Sequence, residues 1–137
     1  MIIYTNNPVV SAHFAQAEAD CDVRLVTASA MDVLSAARSA VNRGSVLCSD
    51  PMAGVHSRRV RLAGKVEDKP LAINPYLSLA VTPAQDAVDF KSVQRINEAV
   101  SSYKKNARLR FMAHNDDAVL NFQKADLDIL LSVLAKM

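Results

Sequence analysis

The sequence predicts an α/β fold: one domain, residues 1–137, whose mainly parallel sheet of about four strands carries helices on both faces. Three observations lead there. Short apolar runs alternate along the chain with segments of helical periodicity, the order in which strands and crossover helices of a parallel sheet follow one another. The run SVLCS at 45–49 is almost continuously apolar, as strands covered on both faces are. At 137 residues, half of them hydrophobic, the chain has the length and apolar content to fill one three-layered core.

Each element follows from a local signal. MIIYT (1–5) is the first strand; Asn7 can cap the next helix and Pro8 can open it, because Asn accepts a free backbone N–H and Pro has none to leave unpaired. DVRLVTA (22–28) is the second strand. Ser29 with Asp32 forms a capping-box start, and Val33, Ala37, Ala40 and Val41 share one face of a helix that Gly44 stops in a left-handed conformation. SVLCS is the third strand. From Asp50 to Pro75 helical periodicity is missing and Pro51, Gly54, Gly64 and Pro70 interrupt, which predicts a long excursion with at most a short strand at RVRLA. YLSLAVT (76–82) is the fourth strand, and Phe90, Val93, Ile96, Val100 and Tyr103 mark a helix starting at Asp89. ARLRFMAH (107–114) fits either a strand or a continuation of that helix. Leu120, Leu127, Leu130, Leu131 and Leu134, flanked by Ile129 and Val133, mark a long terminal helix. The expected whole is a three-layer sheet of the Rossmann or flavodoxin-like kind.

Composition narrows the function. A net charge of +2 with 22% charged residues gives no nucleic-acid footprint and no charged tail. Cys21 and Cys48 lie 27 residues apart without a C-x-x-C, and His13, His56 and His114 sit in unrelated segments, so neither a disulfide framework nor a metal site is expected. No G-x-G-x-x-G, P-loop or G-x-S-x-G occurs, and no cofactor is expected. The N-terminus has no positive region followed by an apolar stretch, and nowhere are there 18 consecutive apolar residues, so a soluble cytoplasmic protein without membrane contact is expected.

Ligands of open parallel sheets gather beyond the carboxyl ends of the strands. There Thr5-Asn6-Asn7-Pro8 opens a helix, whose N-terminal N–H groups favour an anion. Strand three ends in Asp50-Pro51-Met52-Ala53-Gly54, and the excursion adds His56, Arg58, Arg59 and Arg61, guanidinium forks suited to carboxylate or phosphate. The expectation is that DPMAGVHSRR folds back, bringing Arg58 or Arg59 to the Asn6-Asn7 helix start to hold a small anionic ligand. Plainer roles compete: Asn7 as a cap, Asp50-Pro51 as a turn opener, the arginines as a solvated edge, Cys48 as a small core residue.

The blocks IIYTNNPVV, a helix with Arg38 running into NRGSVLCSDPMAG, then NPYLS and VLNFQKADLDILL resemble, in that order, the GrdX family: small bacterial proteins encoded beside components of the glycine, sarcosine and betaine reductases. The resemblance spans essentially the whole chain. Leu47, Pro51, Gly54, Pro75, Tyr76 and Ser78 match the family pattern, which adds Tyr76 to the candidate ligand-binding residues Asn6, Asn7, Asp50, His56, Arg58 and Arg59. The family's histidine after the third strand is Asp50 here, its Lys-Pro-Asn stretch is Leu71-Ala72-Ile73-Asn74, and extra residues fall around Lys104 to His114, so any histidine chemistry of the family is lost. The resemblance implies an accessory protein of amino-acid reduction, its partner a small ligand or a reductase-complex protein.

Two classes of function remain. One is a binding or accessory module; the other is a small enzyme acting on an acidic or amino-acid-like substrate through Cys48 or Asp50 and the arginines. The absence of any paired base and nucleophile favours the first. The broad apolar face of the terminal helix also suggests a homodimer through that helix.

Overall fold

A computed structural model describes residues 1–16, 20–107 and 116–137, without the side chains at 57, 58, 60, 62 and 68–71. The order is β1 (Ile2–Thr5), α1 (Pro8–Gln16), β2 (Asp22–Leu25), α2 (Ala30–Asn42), β3 (Val55–Leu62), β4 (Lys65–Ile73), β5 (Ser78–Val81), α3 (Phe90–Lys105) and α4 (Asp116–Ala135). The ARLRFMAH segment falls, but for Ala107, outside the described residues.

β1 is the centre of a three-stranded sheet in the order β2-β1-β5. It pairs parallel with β2, Ile2 opposite Asp22, and antiparallel with β5, Thr5 opposite Ser78. Side chains alternate across it as a pleat requires. Tyr4, Leu79 and Val81 point to one face and are covered by α2 and α3, through Val33, Leu34, Ala37, Ile96, Ala99 and Tyr103. Ile3 and Ala80 point to the other, where Val10 of α1 and Leu130 of α4 cover them. Helices therefore do lie on both faces.

The sheet is mixed, which corrects the expected mainly parallel, four-stranded fold of Rossmann or flavodoxin-like type. SVLCS is too irregular to count as a full strand: Leu47 makes an isolated antiparallel bridge to Val81, and Cys48 N–H donates to Ala80 O at 2.9 Å. Since SVLCS and β1 both run antiparallel to β5, they point the same way, as the sequence suggested, but β5 lies between them. The excursion explains this. It is a long hairpin whose two ends, Val55 and Ile73, sit opposite one another, so the chain re-enters the sheet at the end it left and must run back. A parallel fourth strand would need a crossover to the other end, usually a helix, and none lies between residues 49 and 78.

The caps are those the sequence encodes. Ser29 accepts from Asp32 N–H while Asp32 accepts from Ser29 N–H, closing the capping box. Gly44 ends α2 at φ 109°, with Ser45 N–H on Ala40 O and Gly44 N–H on Val41 O, the Schellman arrangement. Asp89 caps α3 through Ser92. Among the described residues no helix is long and apolar enough to cross a membrane.

Candidate functional site

At the carboxyl end of β1 the chain builds a buried polar ring. Asn7 caps α1 as expected, its Oδ1 accepting from Val9 N–H at 3.1 Å. Both hydrogens of its amide are also used, on Gln123 O at 2.8 Å and on Asp126 Oδ2 at 3.0 Å, both in α4. Ser78 Oγ donates to the same Asp126 oxygen at 2.6 Å, and Thr5 Oγ1 lies 2.6 Å from Ser78 Oγ while accepting from Asn7 N–H. A hydroxyl has one hydrogen, and Ser78 gives its own to the carboxylate, so Thr5 must donate to Ser78. Every bond in the ring thus points toward Asp126, which is 5% exposed. Burial pushes its carboxyl above the ordinary range, and the bonds from Ser78 and Asn7 pull it part of the way back.

This arrangement answers the expectation of an anion at the Asn7 helix start. The chain supplies the anion itself: Asp126 approaches the N-terminus of α1, and the Asn7 side chain has no hydrogen left for a ligand.

Asn6 faces the other way. Its amide donates to Ala28 O at 3.2 Å and Pro75 O at 2.9 Å, and its Oδ1 accepts from Leu77 N–H at 2.8 Å, so one side chain joins the loops after β1, after β2 and before β5. Asn74 holds the next turn, accepting from Tyr76 N–H at 2.9 Å and donating to Phe122 O of α4 at 3.0 Å. Above these struts lies a cavity of about 250 Å³ lined by Asn6, Ala28, Ser29, Ala30, Ile73, Asn74, Pro75, Tyr76 and Tyr103. It sits beyond the carboxyl ends of β1 and β2, where the α/β rule places ligands. Among the described residues the lining has no Asp, Glu, His, Cys, Lys or Arg. Such a wall can enclose and orient a molecule through apolar contact and hydroxyl or carbonyl groups; the Ser29 hydroxyl donates to Asp32 Oδ2 at 2.8 Å, a carboxylate that the Ser29 N–H also holds as part of the α2 capping box.

Of the residues the sequence singled out, Asn6 and Tyr76 meet at this cavity, and Asn7 stands behind it in the ring. Asp50 is elsewhere. It lines a smaller cleft of about 100 Å³ with Pro51, Met52, Arg95 and Glu98, its Oδ1 accepting from Met52 N–H at 2.9 Å, while Arg95 donates to Ser49 O. Because β5 intervenes, the tips of β1 and of SVLCS are two strand spacings apart, about 10 Å, rather than adjacent. Cys48 is half-buried against the Ile3–Leu130 side of the core, and burial raises its thiol, the reverse of what a nucleophile needs. Cys21 and Cys48 are both free thiols.

His56, Arg58, Arg59 and Arg61 lie on β3, not on a loop folded back over α1, and β3 packs mainly on β4. His56, Arg59 and Arg61 are exposed, Arg58 stands opposite Lys69 and Arg59 opposite Asp68. His56, Arg59 and Arg61 are not among the lining residues of the cavity.

Asp126 is not among the residues the sequence singles out, and Thr5, Ser78 and Asn74 stand there only within motifs, without the bonds that they make here. A signal existed for Asp126: it stands four residues before Leu130 and eight before Leu134, on the stripe that α4 turns to the core, where an acid is out of place unless partnered.

The model of one protein family, described as GrdX-like protein, matches residues 2–135. No curated protein and no solved structure matches the chain. With 134 of its 137 residues inside that match, the chain belongs to the GrdX-like protein family.

Proposed function

We propose that the chain is a small-ligand-binding accessory module of amino-acid reductase metabolism, and that its site is the cavity between Asn6, Ser29, Asn74 and Tyr76. The observation that carries this is the cavity's place and lining together: the ligand-binding end of an α/β sheet, framed by the start of α2, with no charged side chain in the described wall. The described wall has no cation to favour phosphate, and Asp32 already occupies the α2 cap, so a second anion there meets a like charge. The wall suits a compact molecule of no net charge. At about 250 Å³ the space is below that of drug-sized pockets and suits an amino acid or methylated amino acid, the substrate class that the family resemblance suggests.

The test is thermal unfolding in the presence of glycine, sarcosine, betaine and inorganic phosphate. A zwitterion that binds the folded chain raises stability by about 2.7 kcal/mol at one hundred times its Kd, and phosphate at matched ionic strength does not. Ala28 is exposed at the cavity wall, so Ala28→Phe obstructs the space while leaving the core intact. Stabilisation in the parent that disappears in Ala28→Phe supports the site; no stabilisation by any zwitterion, or the same stabilisation in the variant, rejects it.

A further inference from the structure

Asp126 lines neither of the two cavities described and is withdrawn from the surface, and a carboxylate taken out of water is costly even when its bonds are complete. Its partners are the two segments that build the cavity wall. Through Ser78 it holds the start of β5, immediately after the turn of Asn74, Pro75 and Tyr76; through Asn7 it holds the neighbour of Asn6. The same helix accepts two more bonds from these segments, Asn7 to Gln123 O and Asn74 to Phe122 O. Thus α4 grips the chain at 7, 74 and 78, and the residues bracketed by those grips are the ones that face the ligand space.

We propose that Asp126 is a positioning residue of the cavity: by seating α4 on Asn7 and Ser78 it fixes the 74–78 wall and the Asn6 strut in the geometry that keeps the cavity formed. The inference rests on the cavity being the functional site. Lifting α4 removes the acceptor of Ser78 and both α4 acceptors of Asn7, together with the acceptor of Asn74. The wall is then tied to its strut by the Asn6 bonds to Pro75 and Leu77, and its turn by the Asn74–Tyr76 bond, with no hold from α4. The wall and α4 form one cooperative unit in which a change at either is felt at the other.

Amide hydrogen exchange of the unliganded protein, read residue by residue by NMR, tests this directly. Tyr76 and Leu77 N–H report the wall, and Ala37 and Val41 in the middle of α2 report the rest of the fold. Asp126→Ala should accelerate Tyr76 and Leu77 by about tenfold or more relative to the α2 amides, a local opening rather than global loss. Asp126→Asn keeps a carbonyl for Ser78 and Asn7 and should restore exchange close to the parent rate. Leu130→Ala, one turn along the same stripe, loosens α4 packing without touching the ring and should leave the wall slower to exchange than Asp126→Ala does. If Asp126→Ala does not fold, Ser78→Ala replaces it and is judged against the same control. Unchanged exchange at Tyr76 and Leu77, absence of rescue by Asp126→Asn, or equal acceleration by Leu130→Ala overturns the proposal. No ligand enters the experiment, so a failed ligand panel would remove the proposed function without removing this coupling, and the reverse also holds.

Discussion

Gly44 shows how narrowly a single position can be determined. Its φ of 109° lies where L side chains are strained, and a Cβ built there would stand 2.3 Å from Gln85 O. Since Gln85 N–H in turn donates to Gly44 O, the obstructing backbone cannot simply withdraw. Gly44→Ala should therefore lower stability by about 2 kcal/mol or more in urea unfolding, well beyond the usual strain of one left-handed residue. Asp126 makes the second prediction at this scale. Its folded pKa is raised, so between the unfolded carboxylate range near 4 and that higher value the folded state holds more protons than the unfolded one, and stability falls as pH rises through the window. Asp126→Asn cannot titrate there. Unfolding curves across the acidic range should show the parent gaining stability relative to Asp126→Asn as pH falls, and a gap independent of pH would contradict the burial-driven shift. These residues also differ in how plainly the sequence displays them. Asn7, Ser29, Asp32, Gly44 and Asp89 act on backbone within a few positions, so their roles are local and legible. Asp126 acts on residues 48 and 119 positions away; its place on the stripe of Leu130 and Leu134 separates it from Asp128, which is exposed on the other side of the same helix, but nothing local names its partners.

The β3–β4 hairpin is the element that sequence patterning hid. Val60 and Leu62 alternate with Arg59 and Arg61, the short strand that the sequence does show, but the side chains from 63 to 67 are all exposed and no apolar period of two marks the start of the second strand. Its turn is Ala63-Gly64, both at positive φ, 52° and 77°, as a two-residue hairpin turn of the mirror-image type requires, but without the Asn-Gly or Asp-Gly pair that announces one. Pro70 also argued against a strand. It is accommodated beside a register shift, where Ser57 stands opposite Pro70 and His56 opposite Ala72, in a ladder that has only two strands among the described residues. Ala63 bears the cost of that turn. Ala63→Asn, a residue that tolerates left-handed backbone, should raise stability by about 1 kcal/mol, measured as a shift in the denaturation midpoint. No gain, or a loss, would mean that the turn is not held in this form. The helices were easier to foresee, since α2, α3 and α4 each turn an apolar stripe of helical period to the core.

For the whole molecule, the sequence made β1, β2, β5 and the helices legible, but neither the hairpin nor the direction of β5. YLSLAVT reads the same whether its strand runs with β1 or against it, and only the hairpin between Val55 and Ile73, which returns the chain to its point of departure, decides for the antiparallel pairing of Thr5 with Ser78. That decision also places the functional region. With β5 inserted beside β1, Asp50 and Arg95 are left at a separate cleft, and Asn6, Asn74 and Tyr76 close around one cavity next to the start of α2. That this cavity is where the chain meets its ligand is open to a direct measurement: titration of the isotopically labelled protein with glycine, sarcosine and betaine, followed by backbone amide shifts. Binding there predicts saturable shifts centred on Asn6, Ala30, Tyr76 and Leu77 for at least one of the three, with Asp50, Arg95 and the exposed hairpin unaffected. Shifts confined to the Asp50–Arg95 cleft or to the hairpin, or no saturable shift with any of the three, would contradict it.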